Sequence, residues 1–444
     1  MRAAILAAGE GSRLRQHFDG PKPLFPLLGT PLIIRNILSL REAGIREFLI
    51  ITGCYARELR DFLGDGSHWG VSITYVHNSR WQLGNGVSAQ AIQQVYRPKE
   101  KFLLLMADHL FEQGVFEDFI AAAKQLNEGE VLLAADRKLD KVHDLEESTK
   151  IVTEGNVAQQ LGKELSHYDA VDTGLFLCTG AILEALSQAI DQQRYGLTDG
   201  VNILAQKGRV KLHLIEQTWV DVDDLKSFRY GEKLLLQSLV SKSDGFVSKH
   251  INRKLSLKIT RRLASTKVTP NQISFFSFLL CLISALCFGS GQSLVGGIMA
   301  QLGSILDGVD GEIARLNYKK SPYGGLFDSI LDRYADYFII AGMGYWWFQH
   351  SDQAGFAFIV SMLALSGQPL SMLIKEKYKT MTGQNFVPAQ DDGLFRFVPA
   401  NRDGRLFLIM LGGIFNVVPA TLIALAFLTH GQTIARLMSL SRRM

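Results

Sequence analysis

The strongest constraint on this chain is its second half, where from Ile273 onward charge retreats to short islands between long apolar runs. Lipid offers no hydrogen-bond partners, so such runs fold as helices that satisfy their own backbone. Six segments can be marked, at 272 to 289, 292 to 311, 324 to 348, 354 to 374, 402 to 417 and 419 to 438. The last two are short for a bilayer crossing, which takes about 20 residues. One island is acidic. Asp307 to Asp332 reads D-x2-D-G-x2-A-R-x8-G-x3-D-x3-D, with Asp307, Asp310, Gly311, Ala314, Arg315, Gly324, Asp328 and Asp332 at the fixed positions. Helical spacing puts Asp307, Asp310 and Ala314 on one face, and Gly324, Asp328 and Asp332 on one face of the next helix. Carboxylates gathered at the edge of a membrane repel one another unless cations intervene, and charge in that setting marks function. Oxygen-only ligands favour Mg2+ or Mn2+, and a paired-metal site suits displacement at phosphorus. In this reading Asp307, Asp310, Asp328 and Asp332 hold the metals, and Asp332 is also the general base. Asp336 continues the face by one turn and is expected to orient a ligand rather than bind metal.

The spacing resembles the signature of the CDP-alcohol phosphotransferases, and every fixed position matches. The resemblance implies a CDP-alcohol substrate and contacts to its nucleotide from Gly311, Ala314, Arg315 and Gly324. A solvated acidic helix pair is the bland alternative, and the apolar neighbours speak against it. Lys375, Lys377, Arg402 and Arg405 are candidates to bind an acceptor's phosphate, although membrane topology alone would place basic residues there. The turns around 290, 351 and 417 carry no Lys or Arg, whereas 315 to 320, 375 to 405 and Arg442-Arg443 are basic. The expectation is therefore a multi-pass protein of the cell (inner) membrane, with its amino-terminal domain, carboxyl terminus and acidic cluster on the cytoplasmic side.

Averages over the 444 residues conceal this division: 47% hydrophobic residues is high for a wholly soluble chain,. Residues 1 to about 240 mix charge and apolar residues as an α/β domain does. No signal peptide is visible ahead of the strand-like run Ala3 to Ala8,. A net charge of +4 gives no case for nucleic acid as a partner. The four cysteines, Cys54, Cys178, Cys281 and Cys287, have no C-x2-C spacing and read as apolar filler in a reducing compartment,.

At the amino terminus, RAAILAAGEGSRL reads as a strand followed by a glycine-rich turn, where Gly9 and Gly11 let backbone amides approach phosphate oxygens,. Arg13 and Lys22 add positive charge for a triphosphate, and PKPLFPLLGTPLI leads into a helix from Pro31 to about Ala43,. Phe102 to Met106 is a buried-strand run ending beside Asp108, at the strand end where open α/β sheets bind ligands,. TWVDVDD is an alternating strand that turns Asp221 and Asp223 to one side,. Asp108 with one or both of these is the expected Mg2+ site. Strand-like runs at Glu47 to Gly53, Val71 to His77 and Val131 to Ala135 complete a doubly wound sheet,.

These features resemble the sugar-1-phosphate and alcohol-phosphate nucleotidyltransferases. The resemblance implies a Rossmann-like mixed sheet and nucleotide contacts from Leu6, Ala8, Gly9, Gly11, Arg13 and Lys22, with Arg13 and Lys22 catalytic. It implies that Gly84, Asn85 and Gly86 hold base and ribose, and that Asp172-Thr173-Gly174, placed between strands, binds the acceptor, a plain turn being nearly as good a reading. Ala107 stands where relatives often have glycine. His109 reads first as a local structural residue and second as a substrate contact.

Between 242 and 267, eight Lys or Arg face one acid, Asp244, and Phe246, Val247, Ile251, Leu255, Ile259 and Leu263 recur at helical spacing. That is the pattern of a basic amphipathic helix lying on an anionic leaflet. The expected organisation is a nucleotidyltransferase domain at 1–238, an interfacial linker at 239–270 and an all-α six-helix transmembrane domain at 271–444. A homodimer through the last is expected.

The whole chain, including GNGVS, VDTGLFL, HINRKLS and NRDGRLFLIM, resembles the bifunctional inositol-1-phosphate cytidylyltransferase and di-myo-inositol phosphate phosphate synthase family. That implies CTP plus inositol 1-phosphate giving CDP-inositol, then transfer to a second inositol 1-phosphate with release of CMP. Nothing in composition or spacing shows inositol. Another alcohol phosphate, a lipid acceptor, or a catalytically dead nucleotide sensor stay open at this point.

Overall fold

The computed structural model describes residues 1–14, 18, 20–241, 245–384, 386 and 401–441. Lys242, Asp244, Arg442, Arg443 and, within the segment 375 to 405, all of 385–400 except Phe386 lie outside the described residues. The chain divides into two compact units, Met1–Ser238 and Leu239–Met444.

The first unit is built on β1 (Arg2–Ala7), buried at all six positions. The short pair β2 (Pro26–Leu27) and β3 (Thr30–Pro31) precedes α1 (Leu32–Glu42), and β4 (Glu47–Thr52) follows. Next come α2 (Ala56–Leu63), β5 (Ser72–His77), α3 (Asn85–Gln90), β6 (Phe102–Met106), β7 (His109–Phe111) and α4 (Val115–Ala122). The remainder is β8 (Val131–Asp136), β9 (Lys150–Glu154), β10 (Val157–Gly162), β11 (Ala170–Cys178), α5 (Ala181–Asp191), α6 (Leu197–Ala205), β12 (Val210–Leu214), β13 (Trp219–Asp221) and α7 (Leu225–Ser238). The main sheet runs β5-β4-β1-β6-β11-β8-β12-β10-β9 and is mixed: β1 is parallel to β4 and β6, and β11 is antiparallel to β6 and β8. Ile5 sits in register with Ile50 on one side and Leu105 on the other. Strands covered on both faces read as continuous apolar runs, which is why β1, β4 and β6 lack alternation. Because the chain leaves β1 for β4 on one side and later returns as β6 on the other, a crevice opens at the carboxyl ends of β1 and β6.

One segment departs from expectation. Asp172-Thr173-Gly174 lies inside β11 rather than between strands, because the pairing with β8 shifts register between Asp172 and Phe176. Such a bulge re-aims side chains within a strand, and Gly174 takes a φ of +74° there,. The sequence looked like a turn because it holds a local bend in an otherwise extended run.

The second unit is helical. Helix α8 (Arg253–Leu263) is followed by α9 (Pro270–Gly289), α10 (Ser293–Leu316), α11 (Pro322–His350), α12 (Ala354–Thr382), α13 (Arg402–Ile414) and α14 (Val418–Ser441). Thr269 caps α9 in a capping box with Gln272, and Ser321 and Asn401 cap α11 and α13 through the amides of Gly324 and Gly404,. Helices α9, α12 and α14 are long and apolar enough to cross a membrane. The aspartates lower the hydropathy of α10 and α11, and α13 has only 13 residues, so length and composition alone do not qualify these three. Small residues permit close helix packing: a side chain on Gly297 would meet the backbone of Met410 and Gly413, and one on Gly303 would meet Cys281,. The four cysteines are free.

Helix α8 is not amphipathic in the simple sense expected. Ser256 and Thr260 within it, with Asn252 and Ala264 just beyond its ends, form a buried stripe, while Leu255, and Phe246 ahead of the helix, are exposed. The small polar residues face α10 because that helix supplies partners for them, and Lys254, Lys258, Arg261 and Arg262 stay exposed.

Candidate functional site

In the first unit, the turn after β1 and the turn after β6 converge on one cleft. Leu6, Gly9, Gly11, Arg13, Lys22, Asp108 and Asp223 line it. Gly11 has a φ of +62°, and a Cβ there would stand 2.5 Å from the Lys22 side chain, so the glycine is what lets the lysine stem pass beneath the loop,. Lys22 is 7% exposed, and its Nζ donates to Asp108 Oδ2 at 2.5 Å and also to Asp223, with Asp221 at 3.9 Å. Burial opposes its charge, yet the three carboxylates hold the ammonium above the ordinary lysine range,. Asp108 lies well below the usual carboxylate range: Lys22 and then His109 overcome a burial penalty that acts the other way. Arg13 is exposed and reaches Asp223 at 3.5 Å and Glu147 at 3.7 Å.

Strand β13 pairs with β7 so that Asp221 stands opposite His109. The His109 ring stacks on Trp219 at 5.9 Å and its Nδ1 meets Asp108 Oδ1 at 3.1 Å. Burial works against a charged His109, but Asp221 and Asp108 prevail and raise it to about 9. Burial pushes Asp221 up to about 6. Ligand atoms of Asp108, His109 and Asp221 lie within 4.8 Å of one another, and Asp221 Oδ1 is buried with no hydrogen-bond partner. An orphaned buried oxygen beside a second carboxylate suits a hard divalent cation. Asn36, from α1, pins this turn by donating to His109 O at 3.0 Å.

A second pocket adjoins, lined by Asn85, His109, His143, Lys163, Asp172, Gly174, Thr198, Trp219 and Asp221 among others, and it shares Asp223 with the first. Gly84 and Gly86 let the GNG loop, whose Asn85 lines this pocket, pack closely on a neighbouring segment. Side chains there would strike the backbone of Tyr195 and Gly196, and Gly86 N donates to Tyr195 O at 2.9 Å. Ala8 is buried and its carbonyl accepts from Cys54 N at 3.1 Å. Lys163 and His143 stand in no motif and arrive from separate loops, and Trp219, inside TWVDVDD, reads in the sequence only as part of the strand that carries Asp221.

In the second unit, α10 and α11 bring the signature together. Ligand atoms of Asp307, Asp310 and Asp328 lie within 4.8 Å of one another, and Asp307 Oδ1 is buried with no hydrogen-bond partner. Oxygen-only donors with an orphaned acceptor fit Mg2+ or Mn2+. Asp310 accepts from Ser274 of α9 and from Gly311 N. Gly311, Ala314, Arg315, Gly324, Asp310 and Asp328 line one pocket, joined by Asn271, Ser274, Lys319 and Lys320. Asn271 and Ser274 stand outside the signature, and Lys319 and Lys320 carry charge that membrane topology alone would place there, so the sequence does not mark these four as site residues.

Arg402 and Arg405 stand among the aspartates. Arg402 Nη1 is 2.9 Å from Asp307 Oδ2 and 2.9 Å from Asp332 Oδ1, and its Nε is 3.3 Å from Asp336. Arg405 Nη2 is 3.3 Å from Asp336 Oδ2. Asp336, 4% exposed, thus orients two guanidinium groups. Lys375 and Lys377 sit near the end of α12, half-buried and exposed respectively.

Known proteins carry both halves. The family described as nucleotidyl transferase matches residues 2–238, and that described as CDP-alcohol phosphatidyltransferase matches 267–429. A bifunctional IPC transferase and DIPP synthase from Rubrobacter xylanophilus is 34% identical over 99% of this chain and 96% of its own. One of the same description from Archaeoglobus fulgidus is 34% identical over 93% of this chain and 78% of its own. The solved inositol-1-phosphate CTP transferase from T. maritima is 24% identical, covers 52% of this chain and 95% of its own, and has a TM-score of 0.46. With a nucleotidyl transferase unit followed by a CDP-alcohol phosphatidyltransferase unit, and full-length relatives built the same way, this chain belongs to the family of bifunctional IPC transferases and DIPP synthases.

Proposed function

We propose that the first unit joins CTP to inositol 1-phosphate, giving CDP-inositol and pyrophosphate, and that the second transfers phosphoinositol from CDP-inositol to another inositol 1-phosphate, releasing CMP. The observation that carries this reading is the presence of two separate carboxylate sets, each beside its own polar pocket. In the first step a phosphate oxygen of inositol 1-phosphate attacks the α-phosphorus of CTP. The bond to pyrophosphate breaks as the new P–O bond forms. Lys22 and Arg13 neutralise charge on the triphosphate, the amides around Gly9 and Gly11 hold its oxygens, and Asp172 with Lys163 receives the alcohol phosphate in the adjoining pocket.

In the second step a hydroxyl of the acceptor attacks the β-phosphorus of CDP-inositol. Asp332 takes the hydroxyl proton, and CMP leaves. Gly311, Ala314, Arg315 and Gly324 line the nucleotide's place. Lys375, Lys377, Arg402 and Arg405 draw the acceptor's phosphate, with Arg402 tying that place to the carboxylates. Asp108 with Asp221 or Asp223 in one unit, and Asp307, Asp310, Asp328 and Asp332 in the other, would hold divalent cations, which would supply charge neutralisation at phosphorus. The helical unit spans the membrane six times, with its acidic cluster at the cytoplasmic end, and pairs with a second copy.

Incubation of the purified protein with CTP and a panel of alcohol phosphates, followed by mass analysis, tests the reading. A water-soluble phosphodiester of two inositols, one carrying a second phosphate, is expected. A detergent-extractable product would instead make the acceptor a lipid.

A further inference from the structure

Glu312 lies inside the acidic signature, is fully buried, and takes no part in the carboxylate cluster. It follows Asp310 by two positions, about 200° around the helix, so the two side chains leave α10 in nearly opposite directions. Three donors from α8 hold it: Arg253 Nη1 and Ser256 Oγ at 2.6 Å on Oε1, and Thr260 Oγ1 at 2.5 Å on Oε2. A carboxylate this deeply buried is tolerated only when it is paired and hydrogen-bonded. Satisfying it fixes one rotation of α10 about its own axis. Any roll of that helix would break these bonds and swing Asp307 and Asp310 away from Asp328.

A second polar chain from the same helix ends beside the same site. Gln301 Nε2 donates to Asn252 Oδ1 at 2.7 Å, Asn252 Nδ2 donates to Ser304 Oγ at 3.0 Å, and Ser304 Oγ donates to Asp403 Oδ1 at 3.1 Å. Asp403 is the neighbour of Arg402, which bridges Asp307 and Asp332. Helix α8 therefore grips the signature helix at one end, and Asn252, the residue just before α8, reaches through Ser304 to the helix that carries Arg402.

We infer that Glu312 is a positioning residue for phosphoryl transfer, and that α8 is a structural part of the second catalytic centre rather than a tether. The inference rests on the reading that the four signature aspartates form that centre. Misplacement on the scale of 1 Å can cost roughly 100-fold in rate.

The test measures CMP release from supplied CDP-inositol and inositol 1-phosphate, with wild type and Asp310→Asn as references, on full-length protein. Glu312→Gln and Thr260→Val should lower kcat by roughly 10- to 100-fold while the KM for inositol 1-phosphate moves far less. Thr260→Ser, which keeps the hydroxyl, should restore the rate. Pyrophosphate release from CTP, made in the other unit, should not change, and the thermal unfolding transition of the helical unit in detergent reports the folded fraction of each variant. A wild-type kcat in Glu312→Gln and Thr260→Val would overturn the inference, as would loss explained wholly by a smaller folded fraction. No CMP release from wild type, or full activity in Asp310→Asn, would instead overturn the reading of the centre itself.

Discussion

The two carboxylate sets solve one electrostatic problem in two settings. In the first unit Asp108, Asp221 and Asp223 stand at strand ends around a lysine, Lys22, that comes from a loop. In the second, Asp307, Asp310 and Asp328 cluster on two helices, and an arginine from α13 spans Asp307, Asp332 and Asp336. A lysine buried among three carboxylates is a compact point charge,. An arginine fork locked between helices holds a fixed geometry. The contrast teaches that a single ammonium gathers the carboxylates of the nucleotide-forming site, whereas a guanidinium fork ties those of the phosphotransfer site across three helices.

Asp332→Asn gives the largest effect that this contrast predicts. CMP release should fall by roughly 10²- to 10⁴-fold, the range for loss of a general base, while pyrophosphate release continues. Rescue at high Mg2+ would show Asp332 to be mainly a ligand. Near-wild-type CMP release at ordinary Mg2+ would move the centre elsewhere. Asp108→Asn is the converse, with pyrophosphate release falling by roughly 10²- to 10³-fold, as when one electrostatic stabiliser is removed, and CMP release from supplied CDP-inositol unchanged. Parallel assays of both products decide each case.

Much of this contrast was legible in the residues, for identifiable reasons. Aspartates spaced at helical intervals and a carboxylate just past an apolar strand both follow from local periodicity, which the fold preserves. What stayed hidden depends on which elements become neighbours. Ser274 meeting Asp310, Arg402 reaching Asp307, and His109 stacking on Trp219 join positions 36, 95 and 110 residues apart. Helix α8 misled for a subtler reason: polarity marks Ser256 and Thr260 as solvent-facing, and only the carboxylate opposite them makes burial favourable,. Asp172 looked like a turn residue because a bulge and a turn share their local chemistry.

Two smaller effects sharpen the comparison. Each exposed basic residue of α8 is worth about 1 kcal/mol near an anionic surface. Replacing Lys254, Lys258, Arg261 and Arg262 with Gln should shrink the gain in melting temperature seen on moving from neutral to anionic nanodiscs. An undiminished, salt-insensitive gain would rule out a leaflet contact through those side chains. Gly11→Ala should cost about 1 kcal/mol at a positive φ. It should raise the KM for CTP, because the added methyl would displace the Lys22 stem, and leave phosphotransfer untouched. A change in CMP release from supplied CDP-inositol would couple the two sites more closely than separate carboxylate sets allow.

The central claim is that each set is a complete catalytic centre and that CDP-inositol links them. Mixing Asp108→Asn protein with Asp332→Asn protein tests it most directly. Given CTP and inositol 1-phosphate, neither variant alone should release CMP, and the mixture should, because one makes the intermediate and the other consumes it. No CMP from the mixture, although each variant still performs its remaining half-reaction, would contradict the account.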